Sequence, residues 1–105
     1  MADLKELKTA EYADFTNSGV VVLDFWAPWC GYCVRMMPTF EEIATELAGK
    51  VSFAKVNDEE ETELARNLNI EVLPTFVIMK DGQVVDRKIG FLPKSDLVAA
   101  IEAHI

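Results

Sequence analysis

The chain has 105 residues and is 50% hydrophobic, with five glycines and four prolines, which fits one compact domain spanning residues 1–105 and excludes a disordered or fibrous protein. Eighteen Asp and Glu against ten Lys and Arg leave a formal charge of -8, which repels phosphate backbones and anionic membrane surfaces and argues against nucleic acid or membrane as a partner. The longest apolar run, Val20 to Trp26, is interrupted by Asp24 and falls far short of the roughly 20 residues that a membrane span needs. Met1-Ala2-Asp3-Leu4 opens with an acid and has no basic start, apolar stretch or small-residue cleavage site, so a cytoplasmic location is expected. The protein is also expected to be a monomer.

Residues 3 to 8 are expected to form a short edge strand, although Leu4 and Leu7 do not alternate. Thr9 is placed to cap a first helix running to about Thr16, with Glu11 in its positive first turn and Asn17-Ser18-Gly19 ending it. Val20-Val21-Val22-Leu23-Asp24-Phe25-Trp26 is apolar at both parities, which predicts a strand covered on both faces at the centre of a layered sheet. After Ala27-Pro28 a helix is predicted from near Cys30. Met37, Phe40, Ile43, Ala44 and Leu47 recur along it at helical spacing, Pro38 should bend it and Gly49 stop it. Val51 to Val56 reads as another strand. In the acidic run that follows, Asp58 and Glu61 have capping-box spacing ahead of Leu64, Ala65 and Leu68. Thr75 to Met79 and Val84 to Ile89 flank the hairpin signal Asp81-Gly82, and Pro93 to Ile105 gives a last helix with Leu97, Val98, Ile101 and Ile105 on its inner side. The order β-α-β-α-β-α-β-β-α defines an α/β fold with little length left for linkers.

Both cysteines, and no third, lie in Trp26-Ala27-Pro28-Trp29-Cys30-Gly31-Tyr32-Cys33. Four readings of the pair compete: a structural staple, half a metal site, coincidence and a redox couple. In the chain-entropy account a disulfide closing a loop of about four residues stabilises by roughly 1.9 kcal/mol, against roughly 3 for a loop of about 15, so the pair is a poor brace. A structural zinc needs four ligands, and beyond two thiolates the sequence offers one histidine, His104, outside any finger-like spacing. No metal or other cofactor is expected, and His104 reads as a polar residue near the end of the last helix.

The redox reading explains position as well as spacing. A helix starting at Cys30 turns its free N–H groups and positive dipole end toward that sulfur, an effect of up to ~2 kcal/mol that lowers the thiol pKa by up to ~1.5. The thiolate is the attacking form. Cys33, one turn on and better covered, is placed to attack Cys30 after Cys30 has formed a mixed disulfide with a partner, releasing the reduced partner.

The sequence resembles the thioredoxin family from end to end. The matching pieces are Asp24-Phe25-Trp26-Ala27-Pro28-Trp29-Cys30-Gly31-x-Cys33, then Pro38, Ala54-Lys55-Val56-Asn57, Leu73-Pro74-Thr75, Asp81-Gly82 and Gly90. The resemblance implies a thioredoxin fold, a central mixed sheet of four to five strands flanked by four helices, with the dithiol at the C-terminal end of a middle strand. It implies a protein disulfide oxidoreductase that reduces disulfides of client proteins through a redox-active Cys30–Cys33 pair and is itself reduced by a thioredoxin reductase. It further implies that the Leu73-Pro74 bond is cis and lies beside Cys30, where the Leu73 backbone pairs with an extended substrate segment.

Asp24, a carboxylate in a strand covered on both faces, faces a desolvation cost that raises its pKa by up to roughly 3–5. The matching family aspartate acts under the second cysteine, which implies that Asp24 is the general base, through water, for the Cys33 proton. Lys55, of the same parity as Val51 and Phe53, matches a family lysine near that carboxylate and is expected to tune it. Trp29, Gly31, Tyr32, Leu73, Pro74, Gly90 and Phe91 are expected to form the apolar surface around Cys30 that receives clients, and Trp26 to lie in the core.

Two positions depart from the family pattern. Tyr32 stands where most thioredoxins carry proline; losing that fixed φ relaxes the turn and adds a backbone donor and a phenol near the thiolate, which predicts a shifted redox potential. Val34 replaces the basic residue common after the second cysteine, and Arg35 supplies charge next door, on another face. Tyrosine before the second cysteine also resembles the Cys-Pro-Tyr-Cys motif of glutaredoxins, which implies a glutathione-dependent reductant as an alternative. Trp26-Ala27-Pro28-Trp29 and Leu73-Pro74-Thr75, both of thioredoxin type, weigh against it, and an oxidase or isomerase belongs to compartments that need an export signal. A further alternative is a binding module that uses the same surface with its thiols incidental.

Overall fold

The structure is a computed structural model that describes residues 4–105. The Met1-Ala2-Asp3 start, including the first residue of the expected edge strand, lies outside the described residues. The elements run β1 (Lys5–Glu6), a 3-10 turn (Thr9–Glu11) leading into α1 (Tyr12–Thr16), β2 (Val20–Trp26), α2 (Gly31–Glu46), β3 (Val51–Asn57), α3 (Thr62–Asn67), β4 (Thr75–Lys80), β5 (Gln83–Ile89) and α4 (Lys94–Glu102). The strands form one mixed sheet in the order β1-β3-β2-β4-β5, with β2 parallel to β3 and antiparallel to β4. No described helix is long and apolar enough to cross a membrane.

The two apolar parities of β2 build two half-cores. Val20 and Val22 pack with Met36, Phe40 and Ile43 of α2 and Leu97 and Ile101 of α4. Val21, Leu23 and Phe25 pack on the other face with Leu7, Leu64 and Ala65, flanked by Tyr12 and Phe15. At roughly 1.5–3 kcal/mol for each fully buried large apolar side chain, these layers, and not the short disulfide loop, supply the fold's stability.

α2 starts because Cys30 stays extended (φ -87°, ψ 110°) and caps the first turn. Pro38 sits inside the helix and denies the Val34 carbonyl its usual N–H donor, which is tolerable because Val34 is exposed. Asp81 and Gly82 turn the β4–β5 hairpin with φ of 51° and 84°, the left-handed pair that a two-residue hairpin requires.

Three local expectations fail. Thr9 does not cap the first helix: its backbone N–H and its hydroxyl both donate to Glu61 Oε1 at 2.9 Å, and Lys8, whose N–H donates to Glu11, occupies the cap position. Asp58 and Glu61 make no capping box. Glu61 is taken by Thr9, 52 residues away, and Asn57 Oδ1 instead accepts the N–H groups of Glu59 and Glu60 at the turn before α3. Ile105 lies beyond the end of α4 and is 54% exposed, so it adds nothing to the inner face.

Candidate active site

Cys30 closes the loop that follows β2. Its N–H donates to the Ala27 carbonyl at 3.1 Å, and its own carbonyl accepts the Val34 N–H at 3.0 Å as the first turn of α2 forms. The Cys33 N–H donates to Cys30 Sγ at 3.2 Å, so a helix-terminal donor is already aimed at the sulfur that would carry negative charge in the reduced protein. The two cysteines are joined as a disulfide with their Cα atoms 5.2 Å apart. They differ in access: Cys30 keeps 9% of its surface exposed and Cys33 is fully buried. Ala27, Trp26 and Leu73 complete the apolar cluster around them.

Of the residues expected to face clients, Trp29 and Leu73 share a groove with Cys30, and Gly31 and Tyr32 follow it in α2. The Leu73-Pro74 bond is cis, and the Pro74 carbonyl accepts the Gly90 N–H at 2.8 Å, tying the two segments together. Gly90 has φ 88°, a conformation that favours glycine, and a side chain at Gly31 would meet nothing within 4 Å. Trp29 is 70% exposed and donates its indole N–H to Glu59 at 2.9 Å. Tyr32 is also exposed, its ring centre 6.1 Å from that of Phe91. The Arg35 guanidinium is 5.1 Å from the Tyr32 ring centre, because residues three apart on a helix are neighbours. Trp26 is half-buried at the edge of the dithiol cluster and not in either main half-core.

Asp24 is fully buried, and neither of its carboxylate oxygens has a hydrogen-bond partner. Burial pushes its pKa up to about 8; Lys55 opposes the rise and Glu6 adds to it. Lys55 is the register partner of Asp24 across the β2–β3 pairing. Its ammonium lies 3.9 Å from Glu6 Oε1 and 5.0 Å from the Trp26 ring centre.

Sequence reasoning missed several residues here. Asp58, Ile70 and Glu71 line a groove of about 240 Å³ with Trp29, Cys30 and Leu73, and burial also raises the Asp58 pKa. Local spacing makes Asp58 a capping candidate and nothing more; the signal that places Asp58 and Glu59 at the site is that they follow β3 directly, at the C-terminal edge of the same parallel pair that delivers Cys30. Among the described residues no group of three or more His, Cys, Asp or Glu side chains is placed to hold a metal ion.

Comparison with known proteins agrees with this geometry. The family model named Thioredoxin matches residues 3–103. The thioredoxin of Bacillus subtilis is 39% identical over 90 residues, 86% of this chain and 86% of that protein. The thioredoxin of Staphylococcus aureus is 36% identical over 96 residues, 91% of this chain and 92% of that protein. The crystal structure of Malassezia sympodialis thioredoxin (Mala s 13) superposes with a TM-score of 0.90 at 37% identity, covering 99% of this chain and 92% of that one. A chain matched over nearly its whole length, with a CxxC pair at disulfide distance on the first turn of α2, belongs to the thioredoxin family and is a thiol–disulfide oxidoreductase.

Proposed function

We propose that the chain acts as a single-domain, monomeric cytoplasmic reductant of client-protein disulfides, with a thioredoxin reductase as its electron donor. The observation that carries this reading is the asymmetry of the pair: a slightly accessible Cys30 capping α2 beside a fully buried Cys33. The Cys30 thiolate attacks one sulfur of a client disulfide; a Cys30–client bond forms, the client's own S–S bond breaks, and its other sulfur leaves as a thiolate that takes up a proton. Asp24 then accepts the Cys33 proton through water, with Lys55 tuning its charge. The Cys33 thiolate attacks Cys30 Sγ, the bond to the client breaks, and two electrons have passed from the dithiol to the client. Trp29, Gly31, Tyr32, Leu73, Pro74 and Gly90 form the surface on which the client lies, with its extended segment alongside Leu73.

Replacing Cys33 with serine tests this directly. A covalent mixed disulfide through Cys30 is expected to accumulate with an oxidised client such as insulin, visible on a non-reducing gel. Reversible association with no covalent product would mean a binding module with incidental thiols. Insulin reduction driven by dithiothreitol but not by glutathione separates this reading from the glutaredoxin-like alternative, whose only support is Tyr32.

A further inference from the structure

The charged groups acting on Asp24 lie in one row across the sheet. Glu6 of β1 is the register partner of Lys55 of β3, which is the register partner of Asp24 of β2. These strands run parallel, so paired positions leave the same face, here the one that Leu4, Phe53 and Val22 present to the α2–α4 core. Beyond Asp24 the row continues into the apolar Phe76 of β4, and the α2 residues packed on this face, Met36, Phe40 and Ile43, carry no charge.

Lys55 is not committed to Asp24. Its ammonium is near Glu6 Oε1 and the Trp26 ring, while both Asp24 oxygens lack a hydrogen-bond partner. Glu6 also holds that ring, because Trp26 Nε1 donates to Glu6 Oε2 at 3.3 Å. One carboxylate therefore fixes both the cation and the aromatic face on which the cation rests.

We propose that Glu6 is a positioning residue for Asp24: it draws the Lys55 ammonium outward onto the Trp26 ring and so withholds from Asp24 the counter-charge that would keep it ionised. The consequence for exchange rests on the Asp24 proton-acceptor reading above; the assignment of Glu6 goes beyond it. Burial remains the larger reason that Asp24 holds its proton, and Glu6 acts in the same direction.

Glu6→Gln keeps an acceptor for the Trp26 indole and removes only the charge. In the oxidised protein neither cysteine titrates, so the Asp24 carboxyl carbon can be followed by NMR, with Asp24→Asn identifying its signal. The midpoint is expected to fall by about 0.5 pH unit in Glu6→Gln, and by less when the same change is made in a Lys55→Gln background. An unchanged midpoint overturns the proposal. So does an equal fall with and without Lys55, because it reduces Glu6 to simple charge repulsion. The second arm measures the pH profile for resolution of a mixed disulfide on Cys30, whose acid limb should follow the midpoint and give about twofold faster resolution near pH 7. A midpoint that moves while this profile stays put upholds the Glu6 assignment and overturns the proton-acceptor role of Asp24 instead.

Discussion

Val22 and Asp24 stand two residues apart on the same face of β2, equally shut off from water. Val22 meets apolar neighbours from α2, β4 and α4 and adds to stability through simple burial. Asp24 meets no hydrogen-bond donor, and its burial costs stability whenever it is charged. One strand face thus changes from an apolar residue to a buried carboxyl within two residues of chain. Groups that break a local rule of stability, as Asp24 does, are expected where the fold serves a reaction.

A pH scan should break the comparison most visibly. Burial pushes the Asp24 pKa up to about 8 in the folded protein, against an ordinary value of 3.8 when the chain is unfolded. Between these values the folded state holds a proton that the unfolded state lacks, so stability falls as pH rises through that window and levels off above it. Linkage puts this contribution on the order of 5 kcal/mol. Asp24→Leu should remove the slope and raise the urea midpoint of the oxidised protein, most of all above pH 8, while slowing mixed-disulfide resolution at least tenfold. Parallel stability profiles for the variant and the parent would mean that Asp24 is not a buried carboxyl.

On the apolar side the effects are smaller and indifferent to pH. Phe40 lies with its ring centre 5.6 Å from that of Phe53 and 5.5 Å from that of Phe76, and Phe40→Ala should cost about 3–5 kcal/mol in denaturant unfolding without changing the pH slope. A slope that disappeared with Phe40 would show that the two halves of this face are not separable. Ile43→Val, which removes one methylene from the same core, should cost about 1 kcal/mol and leave the iodoacetamide reactivity of reduced Cys30 unchanged. Loss of that reactivity would place the nucleophile under the control of the distant core.

The legible part of the molecule was the part set by short-range pattern. The double parity of β2, the helical spacing after Cys30 and the Asp81-Gly82 hairpin each specify an element within a few residues, and the fold has all of them. The same reasoning put Cys30 at a helix start and Asp24 in a covered strand, which is most of the site. It failed where a side chain found a distant partner: Thr9 with Glu61, Trp29 with Glu59, and Glu6 with both Lys55 and Trp26. In each, a carboxylate is claimed by a donor distant in the chain.

The order of elements, the two-sided core and the placing of Cys30 at a helix start with Cys33 better covered were readable along the chain, because periodicity and helix position are local properties. The surroundings of Asp24 are set by contacts between strands distant in the chain. Strand order sets β1 beside β3 and β3 beside β2, and that register alone lines up Glu6, Lys55 and Asp24 and leaves the buried carboxyl without a donor. Electrostatic fate depends on distance and desolvation, which become defined only once strands far apart in the chain are neighbours in space.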